Sequence, residues 1–291
     1  MAKLLTMEMA RKSAEPREFN LDVAPVLETN TETDAEIVDR MRSRFQILDD
    51  MTKAVKAGHV RAMIVSGPPG VGKSFGVEQV LSKHDVFANV AQDNKLKRYE
   101  IVKGAMSAIG LYKKLYEYSD KKSIVVFDDC DSILLDDISL NILKAALDSS
   151  KKRTISWNTD SKSLRMEGVP QTFEFKGGCI FITNIKFENV RSKKLKDHLE
   201  ALESRCHYLD LTIDTEREKM LRIKQIVDDG MLTEYNFNRF EQDAIVDFID
   251  TNKKRMRELS LRMVLKVADL KKSMPTSWQQ VAEVTCMRSK R

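Results

Sequence analysis

The chain has 291 residues, of which 42% are hydrophobic and 32% are charged, a composition typical of one or two globular domains with a buried core. No apolar run approaches the length of a membrane span, and the charged N-terminal stretch is unlike a secretory signal, so we expect a cytoplasmic protein without a membrane partner. The 49 basic and 44 acidic residues give a net charge of +5, which permits binding to nucleic acid without requiring it.

Residues 1–34 are polar, which predicts an extended N-terminal arm. From Ala35 to Ala57 apolar residues recur at helical spacing, and this helix leads into a short apolar strand, Arg61 to Ser66. Strand-like and helix-like segments then alternate as far as residue 213, which predicts a parallel sheet covered on both faces. Later segments are helical and begin near Thr215, Phe240, Glu258 and Thr276. We therefore predict an α/β domain over residues 35–213 and a small all-helical domain over residues 214–291.

A glycine-rich sequence, GPPGVGKS, lies between the apolar strand and the next helix. Its glycines allow positive φ angles, so the backbone N–H groups can turn inward around an anion. The sequence matches G-x-x-x-x-G-K-[ST], in which the lysine, here Lys73, reaches the β- and γ-phosphates of ATP and the hydroxyl, here Ser74, binds Mg²⁺. The predicted nucleotide-binding residues of this loop are Gly67, Pro68, Pro69, Gly70, Val71, Gly72, Lys73, Ser74 and Phe75.

A second apolar strand, SIVVFDD, ends in the two carboxylates Asp128 and Asp129. A parallel strand presents its C-terminal end to a ligand, so we expect Asp128 to hold Mg²⁺. Asp129 is then placed to orient or deprotonate the water that attacks the γ-phosphate. Carboxylates at strand ends are also common solubilising residues, but the phosphate loop upstream favours the catalytic interpretation.

The stretches GPPGVGKS, FDDCD, CIFITN and ALESRC resemble the AAA+ ATPases in their order and spacing, over roughly residues 35–270. The resemblance implies a P-loop core with a five-stranded parallel sheet flanked by helices, followed by a helical lid. It also implies that Asn184 positions the attacking water, that Arg205 is an arginine finger acting on the ATP of a neighbouring subunit, and that Arg262 is the lid arginine that contacts the nucleotide. The exact member of the family is not identified.

Each of these assignments has an alternative. Asn184 can simply cap a strand, and Arg205 can pair with Glu200 or Glu203 one helical turn back. Other candidates for the role in trans are Arg191, Arg217 and Arg222. Asp129 stands where most family members have glutamate, and its shorter side chain would slow hydrolysis by reducing its reach. Replication initiators of the family also carry two aspartates here, so the departure does not indicate an inactive site.

Residues 153–177 form a longer connection than usual before the strand of Asn184. TISWN and TFEF alternate in strand fashion, which predicts a hairpin with Trp157 and Phe173 as cross-strand partners. A hairpin at this place occurs in the family branch that includes helicases, junction motors and protein unfoldases; a hairpin that only packs a subunit interface is the alternative. Met106 and Tyr112 follow the second strand and are pore-loop candidates, although their helical spacing also suits a core.

These features predict an AAA+ ATPase that binds and hydrolyses ATP with Mg²⁺ at the subunit interfaces of a homo-oligomer, as a hexamer or a partial ring. Turnover would remodel a macromolecule, either a nucleic acid or a protein complex. Basic clusters at residues 151–153, 193–196 and 253–257 suit a phosphate backbone, although such runs are usually solvated helix faces. The alternative is a nucleotide-gated switch, or a replication-type loader with slow turnover. Clamp-loader subunits, which DDCDS and SRC resemble, carry a third domain for which 291 residues are too few, so we do not expect a complete one.

Overall fold

The computed structural model describes residues 32–83 and 98–289, so the predicted N-terminal arm lies almost entirely outside the described residues. The strands are β1 Ala62–Ser66, β2 Tyr99–Lys103, β3 Ile124–Asp128, β4 Thr154–Ser156, β5 Thr172–Glu174, β6 Gly178–Thr183 and β7 His207–Asp210. The α-helices are α1 Asp34–Ala57, α2 Lys73–Ser82, α3 Ala108–Glu117, α4 Ser132–Leu135, α5 Asp137–Ala146, α6 Lys162–Met166, α7 Lys193–Glu203, α8 Glu216–Asp228, α9 Arg239–Asn252, α10 Leu261–Ser273 and α11 Trp278–Cys286.

Five strands form a sheet in the order β2-β3-β6-β1-β7, and every pairing in it is parallel. Strand β6 lies between β1 and β3, with Ile180 opposite both Met63 and Val126. Because the strands are parallel, all their C-terminal ends lie along one edge. The loops after β1, β3 and β6, which carry the predicted nucleotide-binding residues, therefore meet there.

The sheet is covered on both faces, because every residue of β1, β3 and β6 is buried. On one face Phe127 stacks on Phe181 at 5.3 Å between ring centroids, and residues of α3, α5, α7 and the β4–β5 hairpin pack in the same cluster. On the other face Leu48 of α1 and Leu81 of α2 pack against the strands. With the helices that follow β7, this arrangement confirms the predicted α/β fold, a parallel five-stranded sheet flanked by helices and followed by a helical segment.

The hairpin that precedes β6 is formed by β4 and β5, but its pairing differs from the prediction. Phe173 lies opposite Ile155, whereas Trp157 falls beyond the end of β4. The ring of Trp157 packs instead against Tyr112, at 5.7 Å between centroids. The Trp157 N–H still donates to the Gln171 carbonyl at 2.8 Å, and the polar connection beyond it folds into α6, with the Ser161 hydroxyl capping its first turn.

The pore-loop interpretation does not hold for Tyr112. Its side chain is fully buried, and its hydroxyl donates a hydrogen bond to the Pro170 carbonyl at 2.9 Å. Met106 is partly buried against the same apolar cluster. The apolar spacing of this segment therefore reflects packing under the hairpin.

Helices α8–α11 pack around a separate apolar cluster that includes Ile223, Ile245, Val264 and Trp278. Helix α8 begins with a capping box, in which Thr215 and Glu218 each bond the other's backbone N–H. The described residues from Asp34 onward form one compact unit, and the division at residues 213 and 214 stays a prediction. Among the helices described, none is long and apolar enough to cross a membrane.

Candidate nucleotide-binding site

The glycine-rich loop joins the end of β1 to the start of α2, as predicted. Gly67 has a φ of 155°, and a Cβ atom there would lie 2.9 Å from the Leu211 carbonyl oxygen. Gly70 has a φ of 73°, and a Cβ atom would lie 2.7 Å from Cβ of Ser260. Only glycine fits both the backbone angles and these close approaches, so the loop can place its N–H groups around an anion at the N-terminus of α2.

Lys73 is the first residue of α2 and is 6% exposed. Its ammonium donates hydrogen bonds to the carbonyls of Gly67 and Pro68, at 2.6 and 2.9 Å, and to Oδ1 of Asn184 at 2.9 Å. Burial lowers the pKa of Lys73 to about 8, and the nearby charges of Asp129 and Asp128 oppose this shift. The ammonium is thus held beside the loop, where a phosphate would relieve the cost of its burial.

Ser74 and Asp128 meet at this edge of the sheet. The Ser74 hydroxyl donates to Oδ1 of Asp128 at 2.8 Å, and Asp128 is 5% exposed. A hydroxyl and a carboxylate side by side suit Mg²⁺, which prefers oxygen ligands and is commonly held by one or two protein groups together with phosphates. The residues present therefore fit the predicted metal.

Asn184 connects Lys73 to Asp129. Its Oδ1 accepts the bond from Lys73, and its Nδ2 donates to Oδ1 of Asp129 at 2.9 Å. Asp129 has a φ of 53°, and its N–H donates to the Ile182 carbonyl at 3.0 Å, so the strained backbone is fixed by β6. Burial, with the adjacent negative charge of Asp128, raises the pKa of the Asp129 carboxyl. Asn184 therefore bonds two other residues of the site, which favours a functional role over the alternative that it only caps a strand.

The lid closes over the loop through residues 260–262. The Leu261 N–H donates to the Gly70 carbonyl at 2.8 Å. Arg262 is exposed, and its Cγ would lie 3.7 Å from a Cβ on Gly70. The predicted lid arginine is therefore beside the phosphate loop, within electrostatic range of Lys73.

Two further residues of the predicted set differ in exposure. Phe75, in the first turn of α2, is 70% exposed. Val71 is 5% exposed and packs with Ile37, Met41 and Ile213. The side chain of Val71 therefore anchors the loop to α1.

Arg205 lies at the end of the sheet where the parallel strands begin, whereas the phosphate loop lies where they end. It precedes β7, whose His207 pairs with Met63 near the start of β1, whereas the phosphate loop follows Ser66. Three strand residues span about 10 Å, so Arg205 is remote from the phosphate loop of its own chain. Its guanidinium donates to the Ala201 carbonyl and, within the described residues, pairs with no carboxylate.

The competing arginines are placed differently. Arg222 is 6% exposed, with its guanidinium stacked on Phe45, so it is too enclosed to act on a neighbouring subunit and that alternative is wrong. Arg217 forms an ion pair with Asp34 at 2.6 Å. Arg191 is exposed and remains a candidate beside Arg205.

Two features of the site were not predicted from the sequence: the contact of Lys103 with Asp128, and the burial of Arg222 against Phe45. Lys103 ends β2, lies opposite Asp128 in the register, and places its Nζ 3.6 Å from Oδ2 of Asp128. A cation thus already lies beside the carboxylate that is predicted to hold Mg²⁺. Nothing in the motif spacing indicates this contact, since it depends on β2 lying next to β3.

No protein-family model matches the chain. The chain is similar to the "Uncharacterized 36.7 kDa protein in nrdC-mobD intergenic region" of Enterobacteria phage T4, with 34% identity over 246 residues, which are 84% of this chain and 73% of the phage protein. The chain belongs to the family of this phage protein.

The chain is also similar to solved structures at low sequence identity. Domain III of the DnaA replication initiation protein from Thermotoga maritima has 11% identity and a TM-score of 0.47, over 84% of this chain and 91% of that one. NtrX from Brucella abortus, in complex with ATP, has 12% identity and a TM-score of 0.48, over 93% of this chain and 57% of that one. Drosophila ORC bound to DNA has 11% identity and a TM-score of 0.36, over 99% and 71%. Identities this low concern the fold alone.

Proposed function

We propose that the chain is an AAA+ ATPase that binds ATP with Mg²⁺ at the phosphate loop and hydrolyses it. The observation that carries this proposal is that three separate places in the sequence meet at the C-terminal ends of the strands. There Asn184 bonds both Lys73 and Asp129, and Ser74 bonds Asp128. These side chains supply a cation for phosphate, oxygen ligands for a metal, and a carboxylate with an amide to position water.

Each side chain has a defined task in this proposal. Lys73 and the loop N–H groups hold the phosphates, and Ser74 with Asp128 holds Mg²⁺, which when bound neutralises charge that develops during phosphoryl transfer. Asn184 orients the attacking water, and Asp129 accepts its proton. The raised pKa of Asp129 makes it a better proton acceptor than an ordinary aspartate.

We further propose that active sites are shared between subunits of a homo-oligomer, as a hexamer or a partial ring, with Arg205 acting on a neighbour's ATP. Arg205 lines an open cavity with Arg61, Leu147, Ser149 and Ser204 at the edge remote from its own phosphate loop. An arginine supplied in trans raises phosphoryl-transfer rates by about 10³–10⁵. Remodelling of a macromolecule is the proposed use of this turnover.

A mixing experiment tests the shared site. Arg205→Ala and Lys73→Ala subunits are each expected to be inactive, whereas a mixture pairs intact phosphate loops with intact arginines and should regain part of the parent activity. Arg239→Ala, which removes an exposed arginine paired with Asp228 and Asp243, is the matched control and should hydrolyse ATP at the parent rate. A mixture that co-assembles but stays inactive would exclude Arg205 as a trans arginine.

A nucleotide-gated switch with slow turnover is the second candidate. It is favoured by the short side chain of Asp129 and by the bond that ties this carboxylate to Asn184. Single-turnover measurements separate the two functions: a motor releases phosphate in many cycles while its macromolecule is present, whereas a switch holds ATP for minutes and changes partner affinity between its ATP and ADP states.

A further inference from the structure

The lid carries a group of cations that the nucleotide site does not use. Met256 and Met287 form an isolated antiparallel bridge, which joins the segment before α10 to the residues after α11. Two hydrogen bonds fix it: the Arg257 N–H donates to the Cys286 carbonyl at 3.0 Å, and the Arg288 N–H donates to the Arg255 carbonyl at 2.8 Å. Two basic segments that are about thirty residues apart in sequence thus become neighbours in space.

Basic residues surround the two methionines of the bridge. Met256 and Met287 are 3% and 1% exposed, so the bridge buries its apolar side chains, and three of the four neighbouring cations are exposed. The cations that flank them, which we call the basic ridge, are Lys254, Arg255, Arg257 and Arg288. Lys254, Arg257 and Arg288 are exposed, and Arg255 is half-buried with an enclosed Nε that has no hydrogen-bond partner among the described residues.

The charges of the basic ridge are not neutralised locally. Within residues 32–83 and 98–289, none of its four side chains forms an ion pair. Asp250 is occupied by Lys224 and Lys253, and Glu258 by Lys266. Asp247 on α9 and Glu283 on α11 are exposed carboxylates of the adjoining helices. Solvated basic faces usually alternate with acids, so an excess of this kind favours an anionic partner.

We propose that the basic ridge binds the phosphate backbone of a nucleic acid. Three of its four cations are arginines, whose planar guanidinium groups bind phosphate through two hydrogen bonds. Bridged segments lie about 5 Å apart, and one nucleic-acid strand presents a charge every 3.4 Å along a duplex axis, so cations on the two segments can meet several phosphates at once. If the proposed function holds, this nucleic acid is the macromolecule that the ATPase remodels. The binding proposal depends on the proposed function in that respect alone.

The basic ridge is also next to the nucleotide site along the chain. Three residues separate Arg257 from Leu261, whose N–H bonds the phosphate loop at Gly70. Because this connection is short, a ligand at the basic ridge and a nucleotide at the phosphate loop can both affect the position of the same segment of the lid.

Fluorescence anisotropy of the full chain with a labelled oligonucleotide tests the proposal. The probes are a single strand of about 30 nucleotides and the matching duplex, measured without nucleotide at several salt concentrations. The test variant replaces the four ridge cations by glutamine. The matched control removes the same number of positive charges from exposed positions of the α/β part of the chain, by Lys53→Gln, Lys83→Gln, Lys121→Gln and Lys176→Gln.

We expect the ridge variant to bind at least one of the two probes about tenfold or more weakly than the parent, with a salt slope smaller by about three, since each lost phosphate contact removes roughly 0.7–0.9 from the slope. The control variant should lose much less. A parent that binds neither probe, or a ridge variant with unchanged affinity and slope, would overturn the proposal. So would ridge-dependent binding seen only with poly-glutamate or only with phosphatidylserine vesicles.

ATP turnover of the same preparations separates the two proposals. A ridge variant that hydrolyses ATP normally and has lost oligonucleotide binding supports both. An inactive parent that still binds oligonucleotide through the ridge would sink the proposed ATPase and leave the ridge assignment standing.

Discussion

The guanidinium of Arg222, in the lid helix α8, lies 3.5 Å from the centroid of the Phe45 ring of α1. Its Nη1 donates to Gln225 at 3.0 Å, whereas its Nε has no hydrogen-bond partner within the described residues. Burial lowers the pKa of Arg222 to about 10. A cation is thus enclosed between lid and core beside the phosphate loop, with an aromatic ring as its main compensation.

We predict that Arg222→Met leaves the free energy of unfolding of the nucleotide-free protein unchanged or raises it by up to about 2 kcal/mol. The cation–π contact is worth about 2 kcal/mol, but burial of an unpaired charge costs more than that, and methionine fills a similar volume. Chemical denaturation with Arg239→Met as the exposed control measures the effect. A loss greater than about 2 kcal/mol would mean that Arg222 has a full ionic partner.

Gly70→Ala should weaken nucleotide binding by about tenfold or more and reduce stability by about 1–3 kcal/mol. The added Cβ would lie 2.7 Å from Cβ of Ser260, which forces the lid away from the phosphate loop. Gly58→Ala is the matched control, because Gly58 has a similar φ of 77° with no atom within 4 Å of the added Cβ. Calorimetric titration with ADP measures the affinity of both variants. Backbone strain alone should affect the two glycine positions alike, so an equal loss of affinity in both variants would contradict the contact between Gly70 and the lid.

Affinity for ATP should fall as the pH rises above about 8, because the Lys73 ammonium loses its proton there in the nucleotide-free protein. Binding then requires proton uptake, so Kd should rise by up to about tenfold per pH unit. The folding linkage has a definite sign. The folded pKa is lowered from 10.5 to about 8, so the unfolded chain binds more protons between these values, and this group's contribution to stability rises with pH across that window.

Titrations of nucleotide affinity between about pH 7 and pH 9.5 check this prediction, with Lys73→Met as the variant that lacks the titrating group. The variant should bind weakly at every pH and show no such dependence. A parent affinity that is constant across the range would contradict a buried, titrating Lys73.

Lys103→Gln should lower the Mg²⁺ concentration needed for half-maximal ATP turnover by about threefold to tenfold. The Lys103 ammonium lies 3.6 Å from Oδ2 of Asp128 and competes with the metal for this carboxylate. Because Lys103 is largely exposed, the effect should shrink as ionic strength rises. An unchanged or higher Mg²⁺ requirement would show that Lys103 does not oppose metal binding.

Asp129→Asn should retain ATP affinity within about threefold and lower turnover by about 10²–10⁴, the usual contribution of a general base. The amide keeps the size of the side chain and can still bond Asn184, so the fold of the site is preserved. Equilibrium binding and single-turnover hydrolysis measure the two quantities separately. Hydrolysis at the parent rate would assign the proton transfer to another group.

The sequence alone determined the features that depend on local spacing. The glycine-rich loop, the two carboxylates after an apolar strand and the later Asn184 each follow a strand, and parallel strands bring such positions to one edge. Alternating strands and helices were sufficient to predict the α/β sheet and the helical lid. Short-range chemistry also explains why α8 begins where it does, since its capping box lies within four consecutive residues.

The tertiary structure decided which residues meet across long separations. The contact of Lys103 with Asp128 depends on strand order, and the burial of Arg222 against Phe45 depends on how the lid lies on α1. The basic ridge requires the bridge between Met256 and Met287. The free energy of each contact comes from burial and pairing between distant segments, which local spacing does not encode.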